Sequence, residues 1–249
     1  MTKKPMKAIL VAGGEGSRLL PFTKYTHKSL LPLFDKPVID YALAIIRNCE
    51  IRDITIIGNR FIGQIAQHVG IGIPGEVIHY VIEESPKGVK NALDLARPHV
   101  EGHRTMVYFA DNITTANLKK EAEVWLNSDT LPGALFLGRE LENPESFGVA
   151  KFNSNGDLED IIEKPKVAPS KVAIGGIYFY DERLWEIMDK QFDKFGDKMS
   201  ISDVNREYIN LKAAKLRIEG DIWIDCGTPE NLLEAGILAK SGLISTKLY

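Results

Sequence analysis

The chain has 249 residues, 44% hydrophobic and 26% charged, the usage of an ordinary globular domain rather than a fibrous, disordered or membrane protein. A formal net charge of −3 argues against nucleic acid or an acidic membrane surface as the main partner. Cys49 and Cys226 are its two cysteines, too few for a disulfide framework or a four-ligand zinc site, so a reducing cytoplasm is the expected setting.

The first apolar run, Lys7-Ala8-Ile9-Leu10-Val11-Ala12, is too short for a signal-peptide core or a membrane-spanning helix and predicts a β-strand. Pro37 opens an apolar helical stretch to residue 46, with proline in the helix's first turn. Further apolar runs at 54–58, 77–82, 105–110 and 134–137 predict strands, separated by helices at 62–69 and about 88–97. Such runs, alternating with helices, predict an α/β fold: a mixed, mostly parallel sheet with helices on both faces. Beyond residue 140 the texture changes. Segments 147–152 and 158–162 flank Asn153-Ser154-Asn155-Gly156-Asp157, a hairpin signal. Another strand is expected at 171–180, with helices near 182–190, 204–211 and 229–240. No linker or repeat divides the chain, so 1–249 is read as a single domain. Ligands of such sheets bind at the carboxyl ends of the strands.

The strongest local signal stands there: Gly13-Gly14-Glu15-Gly16-Ser17-Arg18, directly after the first strand. Glycines let backbone N–H groups approach a phosphate, and Arg18 adds a cationic fork. No Gly-Lys-Ser/Thr follows, and position 19 is Leu, so neither a Walker A loop nor a dinucleotide fingerprint is present. Taken alone, the segment is more often a tight turn. Ten residues on, Lys28 could converge on the same phosphates, and Lys36 is a weaker third cation. Asp111, at the end of Tyr108-Phe109-Ala110-Asp111-Asn112, suits a hard cation, although taken alone such an Asp more often caps a turn. Asp225, in Trp223-Ile224-Asp225-Cys226-Gly227-Thr228, could be a helix N-cap. Cys226 reads as a small buried residue. The histidines, at 27, 68, 79, 99 and 103, have no metal-ligand spacing.

Taken together, Gly-Gly-x-Gly-Ser-Arg-Leu, Lys-Ser-Leu-Leu-Pro at 28–32 and Asp35-Lys36-Pro37 resemble the signature of sugar-1-phosphate nucleotidylyltransferases, closest to the short form of glucose-1-phosphate thymidylyltransferases. The resemblance covers residues 7 to about 239. It implies a three-layer, Rossmann-like nucleotide-diphospho-sugar transferase fold, with a nucleotide part at about 1–140 and a small β-rich sugar-binding lobe at about 141–249. It implies transfer of a nucleotidyl group from a nucleoside triphosphate to a sugar 1-phosphate, and commonly a homo-oligomer. Arg18 and Lys28 would be catalytic, and Asp111 and Asp225 would hold Mg²⁺. Leu10, Ala12, Gly13, Gly14, Gly16, Ser17, Glu83, Pro86 and Gly88 match nucleotide-binding positions. Asn112, Gly148, Glu163, Lys164, Ile174, Gly176, Tyr178 and Trp223 match the sugar-phosphate site. Ser202-Asp203-Val204-Asn205 matches a stretch read as structural, with Ser202 or Asp203 as a helix N-cap. The attacking phosphate oxygen arrives already ionised, so positioning and charge neutralisation would suffice for an in-line attack at the α-phosphorus.

Two departures bear on specificity. Glu83 stands where the resembled enzymes carry a base-reading glutamine, in Glu83-Glu84-Ser85-Pro86-Lys87-Gly88. Glutamine donates and accepts, whereas an ionised carboxylate only accepts. A protonated Glu83, a Glu83 swung into solvent with backbone near Gly88 reading the base, or a CTP or GTP substrate would each reconcile this; dTTP or UTP is the first expectation. The phosphate-facing arginine is also missing near 195–200, where Lys198 is a candidate substitute. Two readings from other classes remain: a non-catalytic nucleotide-sugar-binding regulatory subunit, which retention of both cations and both carboxylates disfavours, and a dinucleotide-dependent oxidoreductase, which the missing third glycine disfavours.

Overall fold

Ala8, Ile9 and Leu10 are three consecutive fully buried apolar residues, as a strand covered on both faces requires, and β1 (Lys7–Val11) lies inside the sheet with a parallel neighbour on each side. The computed structural model describes residues 5–85, 87–127, 133–220 and 222–247. In chain order the remaining strands are β2 (Asp53–Gly58), β3 (Val77–Ile82), β4 (Thr105–Phe109), β5 (Asn112–Thr114), β6 (Ala134–Glu140), β7 (Gly148–Phe152), β8 (Leu158–Glu163), β9 (Val172–Tyr180), β10 (Ala214–Ile218) and β11 (Trp223–Asp225). The helices are α1 (Val38–Asn48), α2 (Ile62–Val69), α3 (Val89–Val100), α4 (Lys119–Asn127), α5 (Leu184–Phe195), α6 (Ile201–Asn210) and α7 (Pro229–Ser241). Among the described residues no helix is long and apolar enough to cross a membrane.

The main sheet runs β3-β2-β1-β4-β9-β6-β10. Pairs β1–β2, β2–β3, β1–β4 and β6–β10 are parallel, and β9 runs antiparallel to both β4 and β6. The hairpin β7–β8 joins β9 through Val149 and Ala173. Ala8, Leu10, Ile54, Ile56, Met106 and Tyr108 meet Ile39 and Leu43 of α1, Ile65 of α2 and Trp125 of α4. Ile9, Ile57, Val107, Phe136 and Tyr180 meet Leu93 of α3, Trp185 of α5 and Tyr208 of α6. This is the expected three-layer arrangement. A smaller cluster packs Ala235 of α7 on Leu33, Tyr41, Ile113, Ile224 and Cys226. That location confirms Cys226 as a packing residue, with burial pushing its thiol pKa well up.

Several boundaries differ from the sequence expectation. Pro37 is the N-cap of α1 rather than its first residue. The N-cap of α6 is Ser200, whose backbone N–H donates to Asp203 Oδ2 at 2.8 Å in a capping box, so Ser202 and Asp203 lie inside the helix. Thr228, not Asp225, caps α7. The apolar pattern misses β5 and β11, three residues each, along with the half-exposed edge strand β10 and the polar helix α4. Strand β9, from beyond residue 140, lies between β4 and β6, both from before it, so the two parts share one continuous sheet.

Candidate active site

The glycine loop leaves β1 at the sheet's carboxyl edge, where Ala12 N–H donates to Ile57 O at 2.8 Å. Gly16 has φ 66°, a left-handed conformation, and a Cβ there would come within 2.9 Å of Thr23 Cγ2. Thr23 Oγ1 donates to Gly16 O at 2.8 Å, pinning the turn. A Cβ on Gly13 would lie 2.4 Å from Glu83 Oε2, and one on Gly14 would lie 3.0 Å from Lys28 Nζ. The loop is therefore shaped around two charged side chains, which a simple tight turn would not require. Leu10 and Ala12 are fully buried, so their side chains serve the core and only their backbone is available to a ligand.

Asp111 and Asp225 are far apart in sequence but adjacent here. The antiparallel pair β5–β11 sets Asn112 opposite Asp225, and Cys226 N–H donates to Asp111 O at 2.8 Å. Both aspartates line one cavity. Lys28 Nζ lies 2.6 Å from Asp111 Oδ2, with 14% and 19% of the two side chains exposed. Burial alone would raise the Asp111 pKa, but the Lys28 ammonium, by charge and by hydrogen bond, holds it below the usual carboxylate range. Asp225 goes the other way: burial and then the Asp111 charge hold its pKa above that range. Its Oδ1 accepts from Gly227 N–H at 2.8 Å. The Arg18 guanidinium lies over Gly227, where a Cβ would meet Nη2 at 2.5 Å. Among the described residues no cluster of three or more His, Cys, Asp or Glu side chains could hold a metal. A cation held here would draw on two protein carboxylates and on ligand oxygens.

The cavity beside these carboxylates, about 220 Å³, is lined by Asn112, Gly148, Glu163, Ile174, Gly176, Tyr178 and Ser202 as well. Glu163 Oε2 accepts from Ser202 Oγ at 2.6 Å, which gives Ser202 a place in the site that the sequence reading had assigned to capping. Asn112 is fully engaged: Oδ1 accepts from Trp223 Nε1 at 2.8 Å and Gly176 N–H at 3.3 Å, while Nδ2 donates to Asp111 Oδ1 at 3.1 Å. Trp223, 3% exposed, does not line the cavity; it holds Asn112 from behind. Lys164 sits at φ 43° with 67% of its side chain exposed, and its Nζ is 3.8 Å from Glu163 Oε1. It borders an adjoining groove of about 700 Å³ with Arg18, Phe147, Asp225 and Thr228. Lys198 is exposed and borders neither space; Lys36 lies beside α1, away from the loop.

A separate cavity of about 270 Å³ borders the loop at Glu15 and Ser17 and is lined by Asn59, Arg60, Glu83 and Glu84. Glu83 is 5% exposed, which removes the expectation that it swings into solvent. Its Oε1 accepts from Asn91 Nδ2 at 3.2 Å. Asn59 Nδ2 donates to Gly14 O at 3.3 Å. Gly88 is the N-cap of α3 at φ 94°. Pro86 lies outside the described residues. Asn59 and Asn91 show no pattern in the sequence, and only their bonds to Gly14 and Glu83 bring them to the loop; Ser202 reads there as a helix cap.

The comparisons with known proteins define the class, a nucleotidyltransferase. The chain belongs to the nucleotidyl transferase family, whose model matches residues 7–241, and within it is a sugar-1-phosphate nucleotidyltransferase. It is 34% identical, over 95% of its length and 83% of the relative's, to a glucose-1-phosphate thymidylyltransferase of Neisseria meningitidis serogroup A. It is 35% identical to the Xanthomonas campestris pv. campestris protein of the same name, over 92% of this chain and 79% of that one. Among solved structures, a Bacillus anthracis protein assigned as a glucose-1-phosphate thymidylyltransferase, in complex with a sucrose, superimposes with TM-score 0.88 at 32% identity, covering 94% of this chain and 95% of that one. A UDP-glucose pyrophosphorylase complexed with UDP-glucose shares the fold, with TM-score 0.83 at 21% identity over 96% of this chain and 100% of that one.

Proposed function

We propose that the chain transfers a nucleotidyl group from dTTP or UTP to glucose 1-phosphate or a similar sugar 1-phosphate, releasing pyrophosphate. The observation that carries this reading is the Lys28–Asp111 pair with Asp225 alongside, set between the glycine loop and a polar cavity. The acceptor phosphate is already an anion, so no side chain need remove a proton. The loop from Gly13 to Ser17 holds the triphosphate through backbone N–H groups, and Arg18 holds the departing pyrophosphate. Lys28 neutralises charge on the phosphates as the bond forms at the α-phosphorus. Glu163, oriented by Ser202, accepts from sugar hydroxyls, and Lys164 meets the acceptor phosphate from the rim.

Asp111 and Asp225 suit a Mg²⁺ ion. They offer hard oxygen donors, and a cation held by them would stabilise the ionised Asp225 carboxylate, which burial and then the Asp111 charge disfavour. When bound, the ion neutralises phosphate oxygens and helps align them. Two buried, free thiols suit a reducing cytoplasm, and a homo-oligomer is part of the proposal. The test is pyrophosphate release from a matrix of nucleoside triphosphates against sugar 1-phosphates, with and without Mg²⁺. No release from any pair would sink the proposal.

A further inference from the structure

Helix α7 carries apolar residues on two faces and packs by only one of them. Its inner face, with Leu232, Ala235, Leu238 and Ala239, rests on the small cluster at Leu33, Tyr41 and Ile224. Gly236 lets the helix come close there, since a Cβ would lie 2.4 Å from Leu33 O. The outer face carries Leu233 and Ile237, 68% and 59% exposed. Beside them Phe22 and Phe34, each more than half exposed, form the far wall of an apolar groove of about 450 Å³. A contiguous exposed patch of this kind marks a contact surface rather than ordinary solvent-facing helix.

The stripe along the outer face has an order of its own. Glu230, Leu233, Ile237 and Lys240 are all exposed and recur at spacings of three, four and three residues, the seam along which two helices pack side by side. An acid stands at the N-terminal end, a base at the C-terminal end and two aliphatic side chains lie between. Neither Glu230 nor Lys240 has a side-chain partner of its own among the described residues. The stripe is symmetric about position 235. Laid antiparallel on a copy of itself, it sets aliphatic against aliphatic and acid against base; laid parallel, it sets acid against acid. The occupant whose charges and apolar residues match this seam is therefore the same seam reversed.

We infer that α7 is the contact between two copies of this chain, packed antiparallel about a two-fold axis at position 235. Each Leu233 meets the partner's Ile237 over the apolar groove, and each Glu230 meets the partner's Lys240. Such a contact uses one patch twice and closes on itself, so assembly through this face stops at a pair. The inference deepens the homo-oligomer part of the proposal above and rests on that part alone, not on the reaction.

The test is sedimentation velocity of the full chain at micromolar concentration, with thermal melting as the check on folding. The wild type should sediment as a dimer or a multiple of one. Ile237→Glu, which buries a charge in the middle of the seam, should weaken the contact by at least about a hundredfold and halve the mass of the particle. Lys240→Glu and Glu230→Lys each set like charges together at both ends of the pair and should each weaken self-association about tenfold. Mixed in equal amounts, these two variants should pair with each other in preference to themselves, because every acid then faces a base. A folding defect in either chain cannot produce that result. A monomeric wild type overturns the inference together with the homo-oligomer expectation. An unchanged mass in Ile237→Glu, or a mixture that pairs no better than its components, overturns the inference alone and moves the contact to another face. If Ile237→Glu does not fold, the mixture of the two charge variants decides.

Discussion

Two lysines border the cleft, and they are held in opposite ways. Lys28 is mostly buried, ion-paired to Asp111 at 2.6 Å and packed against the glycine loop. Lys164 is mostly exposed, sits on a left-handed backbone and is 3.8 Å from its nearest carboxylate oxygen. The difference assigns timing to the two charges. Lys28 stands in place before any ligand arrives, so its electrostatic contribution needs no reorganisation. In the proposed role Lys164 would be drawn in by the ligand, with part of its interaction spent on ordering a long side chain. On the proposed reading, the nucleotide side would be built in advance and the acceptor side completed only when its ligand binds.

The hardest test of this contrast is Lys28. Lys28→Met should lower turnover by about 10²–10³-fold and stability by about 1.5–3 kcal/mol, because Asp111 keeps a partly buried charge without its partner. Adding Asp111→Asn should return much of the stability while activity stays low, read by thermal melting beside steady-state rates. Arg18 separates function from folding more cleanly. It is exposed, so Arg18→Ala should cost about 10²–10³-fold in turnover with the melting temperature unmoved. Near-normal turnover in this variant would remove Arg18 from the mechanism.

His27 probes the support behind Lys28. Its ring is fully buried and its Nδ1 accepts from Ser29 N–H at 3.1 Å, fixing the turn that carries the lysine. Burial, and then the Lys28 charge, lower its pKa to about 4. Between about pH 4 and 6.5 the unfolded chain binds this proton and the folded one does not. Its stabilising contribution is therefore complete above pH 6.5 and lost as the pH falls toward 4, at most about 3 kcal/mol in all. His27→Asn, which keeps an acceptor for Ser29, should flatten the melting temperature's dependence on pH in that window; an unchanged slope would remove His27 as its source. Lys164→Ala is the mildest change. The KM for the sugar 1-phosphate should rise about tenfold, with the triphosphate KM and the melting temperature little altered. A comparable loss on the triphosphate side would abolish the contrast between the two lysines.

How much of this was legible in the sequence depended on whether a residue's meaning was local. The core strands announce themselves as apolar runs, and the glycine loop, Lys28, Asp111 and Glu163-Lys164 stand in recognisable segments. What was hidden depends on contacts between distant segments. β5 and β11 are too short to show a period, yet their pairing brings Asp111 and Asp225 together. Trp223 matches a sugar-site position but is buried behind Asn112. Ser202 reads as a cap because Ser-Asp before a helix usually is one, while Ser200, two residues earlier, does that work. Asn91 is unremarkable in sequence and stands out only through its bond to the Glu83 carboxylate.

The order in which the chain emerges during synthesis has a consequence here. The sheet's central gap between β4 and β6 is filled by β9, residues 172–180, and the second carboxylate of the site, Asp225, rides on β11. A growing chain that has released the glycine loop, Lys28 and Asp111 still lacks the strand that closes its sheet and the aspartate opposite. On the proposed reading chemistry would wait until the chain through Asp225 has left the ribosome, and before β9 arrives the β4 edge is an unsatisfied ladder open to wrong partners. Nascent chains arrested before residue 172 should bind molecular chaperones, and those carried past residue 240 should release them.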